Sequence, residues 1–123
     1  MRLQLVKSGS TLSIYAVVLD NGTCPAGDFL ELLRQRDKAS LKSLVNLLTR
    51  HAEHGPIRNE RKSRAIKGKD NLWEFKTRQG DRIPFFYLAG GKTVLTHGFH
   101  KGAPARTEYR KAEAIRDRYL QGG

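Results

Sequence analysis

From Leu72 to Lys101 the chain reads LWEFKTRQGDRIPFFYLAGGKTVLTHGFHK, with apolar and polar residues alternating in short runs that turn residues break twice. In Leu72 to Arg78, Trp73, Phe75 and Thr77 fall on one side and Glu74, Lys76 and Arg78 on the other, the period of a half-buried strand. Gln79-Gly80-Asp81 reads as a turn, Arg82 to Leu88 as a second strand, Ala89-Gly90-Gly91 as a second turn, and Thr93 to Phe99 as a third strand. The pattern predicts a β-meander with one packed face and one charged face. Pro84 removes a ladder donor from the second strand, which predicts a bulge or irregular pairing near Arg82.

Upstream, Ile14 to Leu19 (IYAVVL), closed by Asp20-Asn21-Gly22, predicts a buried first strand. Residues 1–13 alternate at Leu3 and Leu5 and then break at Ser-Gly-Ser, so they form either an extra edge strand or a leader. Thr23 or Cys24 caps a helix with Pro25 in its first turn, and Phe29, Leu30 and Leu33 recur along it at helical spacing. A second helix over Ala39 to His54 carries Leu41, Leu44, Val45 and Leu48 on one face and stops at Gly55-Pro56. His51 and His54 sit in its last turn, where an imidazolium suits the helix dipole, and they are assigned no chemistry. Pro104 opens a third helix with the stripe Ala112, Ile115 and Tyr119. The order β-α-α-β-β-β-α predicts one α+β domain over 14–123, with helices on one face of an antiparallel sheet of about four strands.

Length fits this picture, since 123 residues with 38% hydrophobic suffice for one core and not for two. No run is long and apolar enough to span a bilayer, and the start lacks the apolar centre of a secretory signal, so a cytoplasmic protein without membrane contact is expected. The one cysteine, Cys24, has no partner for a disulfide or a zinc site and reads as a structural thiol. Gly-rich phosphate loops, a nucleophile elbow and metal-spaced acids and histidines are all missing from the sequence, so neither a metal nor a cofactor is expected.

Charge changes the picture most. The net charge is +11, and the stretch from Arg58 to Lys69 (RNERKSRAIKGK) holds +5 of it. A polyanionic partner, most simply nucleic acid, follows. Arg58, Arg61, Lys62, Arg64, Lys67 and Lys69 form its candidate phosphate-binding edge beside the charged sheet face. On that face and its margins stand Lys76, Arg78, Arg82 and Lys101, with Glu74 among them. Such cations bind RNA phosphates and stabilise the charge that builds on a phosphate under attack. Strand parity puts His97 with Leu95 and Phe99, as a hydrogen-bonded core histidine. His100 has the opposite parity and is the better general acid or base candidate. Trp73, Phe75 and Phe85 read as core, and Phe86 and Tyr87 stay unassigned.

Five short segments in this order, CPAGDFL, HGP, LWEFKTR, RIPFFY and LTHGFHKG, make the chain from Ile14 to Tyr119 resemble toxins of the RelE/ParE superfamily. Within it the similarity is to the phage-derived HigB-like subgroup of type II toxin–antitoxin systems. The resemblance implies a RelE-like fold and a metal-independent endoribonuclease, an mRNA interferase that cuts translated messenger in the ribosomal A site. The ribose 2′-hydroxyl would attack, leaving a 2′,3′-cyclic phosphate and a 5′-hydroxyl. By position, Lys76 resembles the lysine near the 2′-hydroxyl, Arg82 the arginine on the phosphorane, and Lys101 the basic residue after the last strand. Tyr109 resembles a substrate-stacking tyrosine, or else merely flanks the Ala112 stripe, and Arg106 joins the RNA-facing cations. Glu74 stands where RelE-type enzymes carry a lysine, as a base or as a partner of Lys76 or Arg78; Gly102 replaces a lysine of the subgroup. The implied partners are a cognate antitoxin of the HigA-like helix-turn-helix type, the ribosome and mRNA. A ParE-like gyrase poison and a non-catalytic nucleic-acid-binding module are the alternatives.

Overall fold

The computed structural model describes residues 1–122, and the last residue of the domain expected over 14–123 lies outside them. In chain order the elements are β1 (Arg2–Ser8), β2 (Ser13–Val18), α1 (Pro25–Arg36), α2 (Lys38–His54), β3 (Ser63–Ala65), β4 (Trp73–Lys76), β5 (Asp81–Leu88), β6 (Lys92–Leu95), β7 (Phe99–His100) and α3 (Ala105–Leu120). The strands form one sheet ordered β1-β2-β6-β5-β4-β3, with β7 pairing to β5 off that path. This is a mixed α+β architecture consistent with a RelE-like fold.

The meander and both long helices lie where periodicity puts them, but the sheet is larger and less uniform than about four antiparallel strands. Residues 2–8 form an edge strand against β2, the strand alternative for residues 1–13. The basic segment contributes one short strand, β3, which pairs with β4. Strands β2 and β6 run parallel, with Ile14 opposite Thr93 and Ala16 opposite Leu95. The α1–α2 hairpin and the β3–β5 segment together form the long crossover that a parallel pair requires.

Helices cover both faces of the sheet, not one. Against α1 and α2 pack Ile14, Phe75, Ile83, Phe85 and Leu95, with Leu44 and Leu48 from α2. On the opposite face Val17, Phe86 and Val94 meet Ile115 and Tyr119 of α3, and Ala112 packs with Ile66 and Leu72. The reason is visible in β5, where Ile83, Pro84, Phe85 and Phe86 are consecutive and all buried. An unbroken apolar run in a strand needs cover on both sides.

His51 is not a dipole-stabilised cation. It is fully buried, its Nε2 lies 2.8 Å from Thr93 Oγ1, and its ring meets Phe75 and Phe85 edge-on. Burial pushes its pKa down to about 4, so the ring is neutral.

The irregularity expected at Pro84 falls on the strand opposite. Strand β5 pairs with β6 through Phe85 and Leu95, then with β7 through Arg82 and Phe99, and the register slips between them. The Pro84 carbonyl there accepts both the backbone N–H and the hydroxyl of Thr96. The single strand expected over Thr93 to Phe99 is thereby split. Gly98 lies in the break, where a Cβ would come within 2.1 Å of the Phe29 ring. On the β4 side the register runs unbroken from Trp73 opposite Phe85 to Lys76 opposite Arg82.

Candidate active site and basic groove

Glu74 points to the face that the sequence pattern leaves to solvent, but α3 crosses that face and the side chain is 0% exposed. A buried carboxylate costs several kcal/mol unless charges and hydrogen bonds compensate it. Here Arg64 Nε lies 2.8 Å from Oε2, the Tyr109 hydroxyl donates to the same oxygen at 2.7 Å, and Arg82 Nη1 stands 3.8 Å away. Arg82 also donates to the Tyr109 hydroxyl at 3.2 Å. Glu74 is thus the hub of an ion-pair cluster, with its partners Arg64, Arg82 and Tyr109 rather than Lys76 or Arg78. Its Oε1 is buried with no hydrogen-bond partner, beside a cleft of about 180 Å³ that Arg64, Lys67 and Tyr109 help to line. Burial first, and then the Glu74 carboxylate, push the Tyr109 phenol above its usual range.

Sheet register assembles the next pair. Lys76 lies opposite Arg82, and Arg82 opposite Phe99, across three adjoining strands. Burial, followed by the positive charges of Arg64 and Arg82, lowers the Lys76 pKa, while Glu74 opposes the shift. A lysine in that setting releases its proton at lower pH than a free one, whereas the Arg82 guanidinium stays charged.

Lys101 and His100 are exposed and fixed to the turn between β4 and β5. The Lys101 N–H donates to the Gly80 carbonyl at 2.8 Å, and its stem crosses Gly80 so closely that a Cβ there would lie 2.6 Å from Lys101 Cδ. Gly80 itself has φ +98°. His100 Nε2 donates to the Gln79 carbonyl at 3.0 Å, leaving Nδ1 as its available nitrogen. His97 is buried, as its parity predicts, but beneath α3. Its Nε2 is 3.2 Å from Glu108 Oε2 and its Nδ1 is 3.1 Å from Thr96 Oγ1. Burial lowers its pKa, with Glu108 opposing.

The side chains of the basic segment divide among different partners. Arg64 belongs to Glu74, Lys67 lines the small cleft, and Lys69 holds α3 through a 2.9 Å ion pair with Glu113. Arg58 and Arg106 are exposed. Arg61 and Lys62 join Lys76 and Arg78 along a groove of about 990 Å³, whose other wall is the flank of α2 with Ser43, Asn46 and Arg50. Sequence reasoning missed that wall. The signal was present as polar residues at i, i+3 and i+7 beside the apolar stripe of α2.

Among the described residues no group of three or more His, Cys, Asp or Glu side chains is placed to hold a metal ion, and no helix is long and apolar enough to cross a membrane. No curated protein matches the chain. A family described as "Phage derived protein Gp49-like (DUF891)" matches residues 31–120, from the middle of α1 to the end of α3, and so spans the ion-pair cluster and the groove. The chain belongs to this Gp49-like family, and through it to the RelE/ParE-like superfamily of toxin–antitoxin toxins.

Proposed function

We propose that this toxin is a ribosome-dependent mRNA endonuclease of the HigB-like kind, working in the cytoplasm. Membership of a toxin–antitoxin family implies an antitoxin as partner. In this reading that partner is a helix-turn-helix protein of the HigA-like type, which holds the toxin inactive.

The observation that carries the reading is the juxtaposition of Lys76, whose ammonium is destabilised by burial and by Arg64 and Arg82, with the permanently charged Arg82 opposite it on β5. Neutral Lys76 takes the proton of the ribose 2′-hydroxyl as its oxygen bonds to phosphorus. Arg82 stabilises the charge gathered on the phosphorane. The bond from phosphorus to the 5′-oxygen then breaks, the leaving oxygen takes a proton from the exposed ammonium of Lys101, and a 2′,3′-cyclic phosphate remains. Tyr109 has a raised pKa and a hydroxyl engaged with Glu74, so it orients the site and is not the acid. Glu74, buried and paired, positions Arg64, Arg82 and Tyr109 and is not the base.

The test is purified protein added to actively translating ribosomes, with cleavage mapped on the messenger and its ends assayed for cyclic phosphate. Cut messenger with those ends is the expected result. Intact messenger, in a preparation whose expression still arrests growth, would overturn the reading, and DNA breakage in the arrested cells would replace it with gyrase poisoning.

A further inference from the structure

The groove between α2 and the end of β4 includes Lys76, which lies opposite Arg82 of the ion-pair cluster on the neighbouring strand. It encloses about 990 Å³, and its charged lining is Arg50, Arg61, Lys62, Lys76 and Arg78, with no acidic residue among the described ones. Such a lining holds a polyanion along its length and not a single small anion at one point.

The uncharged lining narrows the choice of polyanion. Ser43, Asn46 and Asn59 offer short hydroxyl and amide groups of the kind that bind phosphate and sugar oxygens. Leu47 is the one large apolar side chain there, and no aromatic ring faces the groove among the described residues. A docked protein segment draws its affinity from buried apolar and aromatic anchors, for which this surface offers only Leu47. A base-stacking channel needs rings on which bases lie, and none lines this groove among the described residues.

We propose that the α2 groove binds single-stranded RNA by its sugar–phosphate backbone, without preference among bases, as a subsite continuous with the Lys76–Arg82 centre. The choice of RNA among polyanions rests on the endoribonuclease reading above. An RNA whose scissile phosphate sits between Lys76 and Arg82 continues along α2, with flanking phosphates on Arg50, Arg61, Lys62 and Arg78. Lys76 marks the junction of the two regions. Sequence preference in cleavage then arises outside this groove.

The experiment measures binding of the full chain to a fluorescent 2′-O-methyl oligouridine, which cannot be cut, by anisotropy over a salt series. Arg50→Ala and Arg61→Ala are compared with Lys7→Ala, which removes the same charge from the opposite sheet edge. Each groove variant is expected to bind several-fold more weakly at low salt and to lower the slope of log affinity against log salt by about 0.7. Arg50→Lys should keep most of the binding, Lys7→Ala should match the parent protein, and oligoadenosine should bind like oligouridine. Equal losses from Lys7→Ala would overturn the proposal, since bulk charge alone would explain them. So would unchanged RNA binding in the groove variants together with weakened binding of a polyglutamate peptide, or a strong preference for one base. Weaker RNA binding by the groove variants alongside no messenger cleavage by the parent supports the groove and removes only the nuclease reading. Cleavage by the parent with undiminished RNA binding by both groove variants removes only the groove.

Discussion

The Tyr109 hydroxyl donates a 2.7 Å hydrogen bond to Glu74 Oε2, fastening α3 to the centre of β4 across 35 positions of sequence. Because the acceptor is a buried carboxylate, the bond is of the charge-assisted kind and contributes about 1.5–3 kcal/mol. Tyr109→Phe should therefore lower the unfolding free energy by that amount, read from the urea midpoint at pH 7, with little change in far-ultraviolet dichroism. An unchanged midpoint would mean that Glu74 needs no help from α3.

Removing the hub should cost more. Glu74→Ala leaves Arg64 and Arg82 facing each other and Lys76 without their shared counter-charge, and breaking a pair whose carboxylate is fully buried typically costs about 3–5 kcal/mol. Arg64 is 41% exposed and can swing into solvent, so the lower end is expected here. Glu74→Gln should lie between this variant and the parent in the same urea titration.

Cleavage on translating ribosomes should fall about 10²–10³-fold in Arg82→Ala, the scale for removing one group aimed at developing charge, and about 10²–10⁴-fold in Lys76→Ala, the scale for removing a general base. The pH profile carries the sign. Lys76 acts in its neutral form, so the rate should rise with pH through a pKa lying below the ordinary lysine range. In Lys76→Arg that rise should vanish, because a guanidinium does not titrate there. A rate that instead falls over the same span would assign Lys76 to an electrostatic role.

His51 makes folding pH-dependent. Its folded pKa is about 4 against an ordinary 6.5, so the unfolded chain takes up the proton first as pH falls. The stability from keeping the ring neutral is intact above about pH 6.5 and is lost progressively down to about pH 4, a total of about 3 kcal/mol. His51→Leu should start less stable at neutral pH, since Thr93 loses its partner, and should show a shallower decline between those limits.

Gly80→Ala should destabilise the protein by about 1–2 kcal/mol, because φ +98° disfavours a side chain and the added Cβ meets the Lys101 stem. It should also depress cleavage beyond what stability explains, as Lys101 leaves the turn that fixes it.

The strands and helices were legible wherever period and punctuation agreed. Alternation marked β4, and Gly55-Pro56 marked the end of α2. The parallel pairing of β2 with β6 was not, since local pattern carries no strand direction when partners lie far apart. The face of Glu74 was misread because alternation says which residues share a side and not whether a helix covers it. The run of four buried residues in β5 held that information and outweighs one charged strand. In the candidate site, the grouping of Lys76 with Arg82 followed from the strands alone. The division of the basic segment did not, because only tertiary contacts separate Arg64, tied to Glu74, from Arg61 and Lys62 in the groove.

Helix α3 has one fully buried residue, Ala112, lays the half-buried Ile115 and Tyr119 on the sheet, and is pinned further by polar contacts: Lys69 to Glu113, Arg116 to the Asp70 carbonyl, Arg118 to Asp20 and Tyr109 to Glu74. Burial resists salt and exposed ion pairs do not. Hydrogen exchange should therefore find the amides of α3 opening well before those of β2, β5 and β6, and opening faster as ionic strength rises. The two halves of the ion-pair cluster then differ in lifetime, with Glu74 buried in the sheet and Tyr109 carried by the helix that opens earlier.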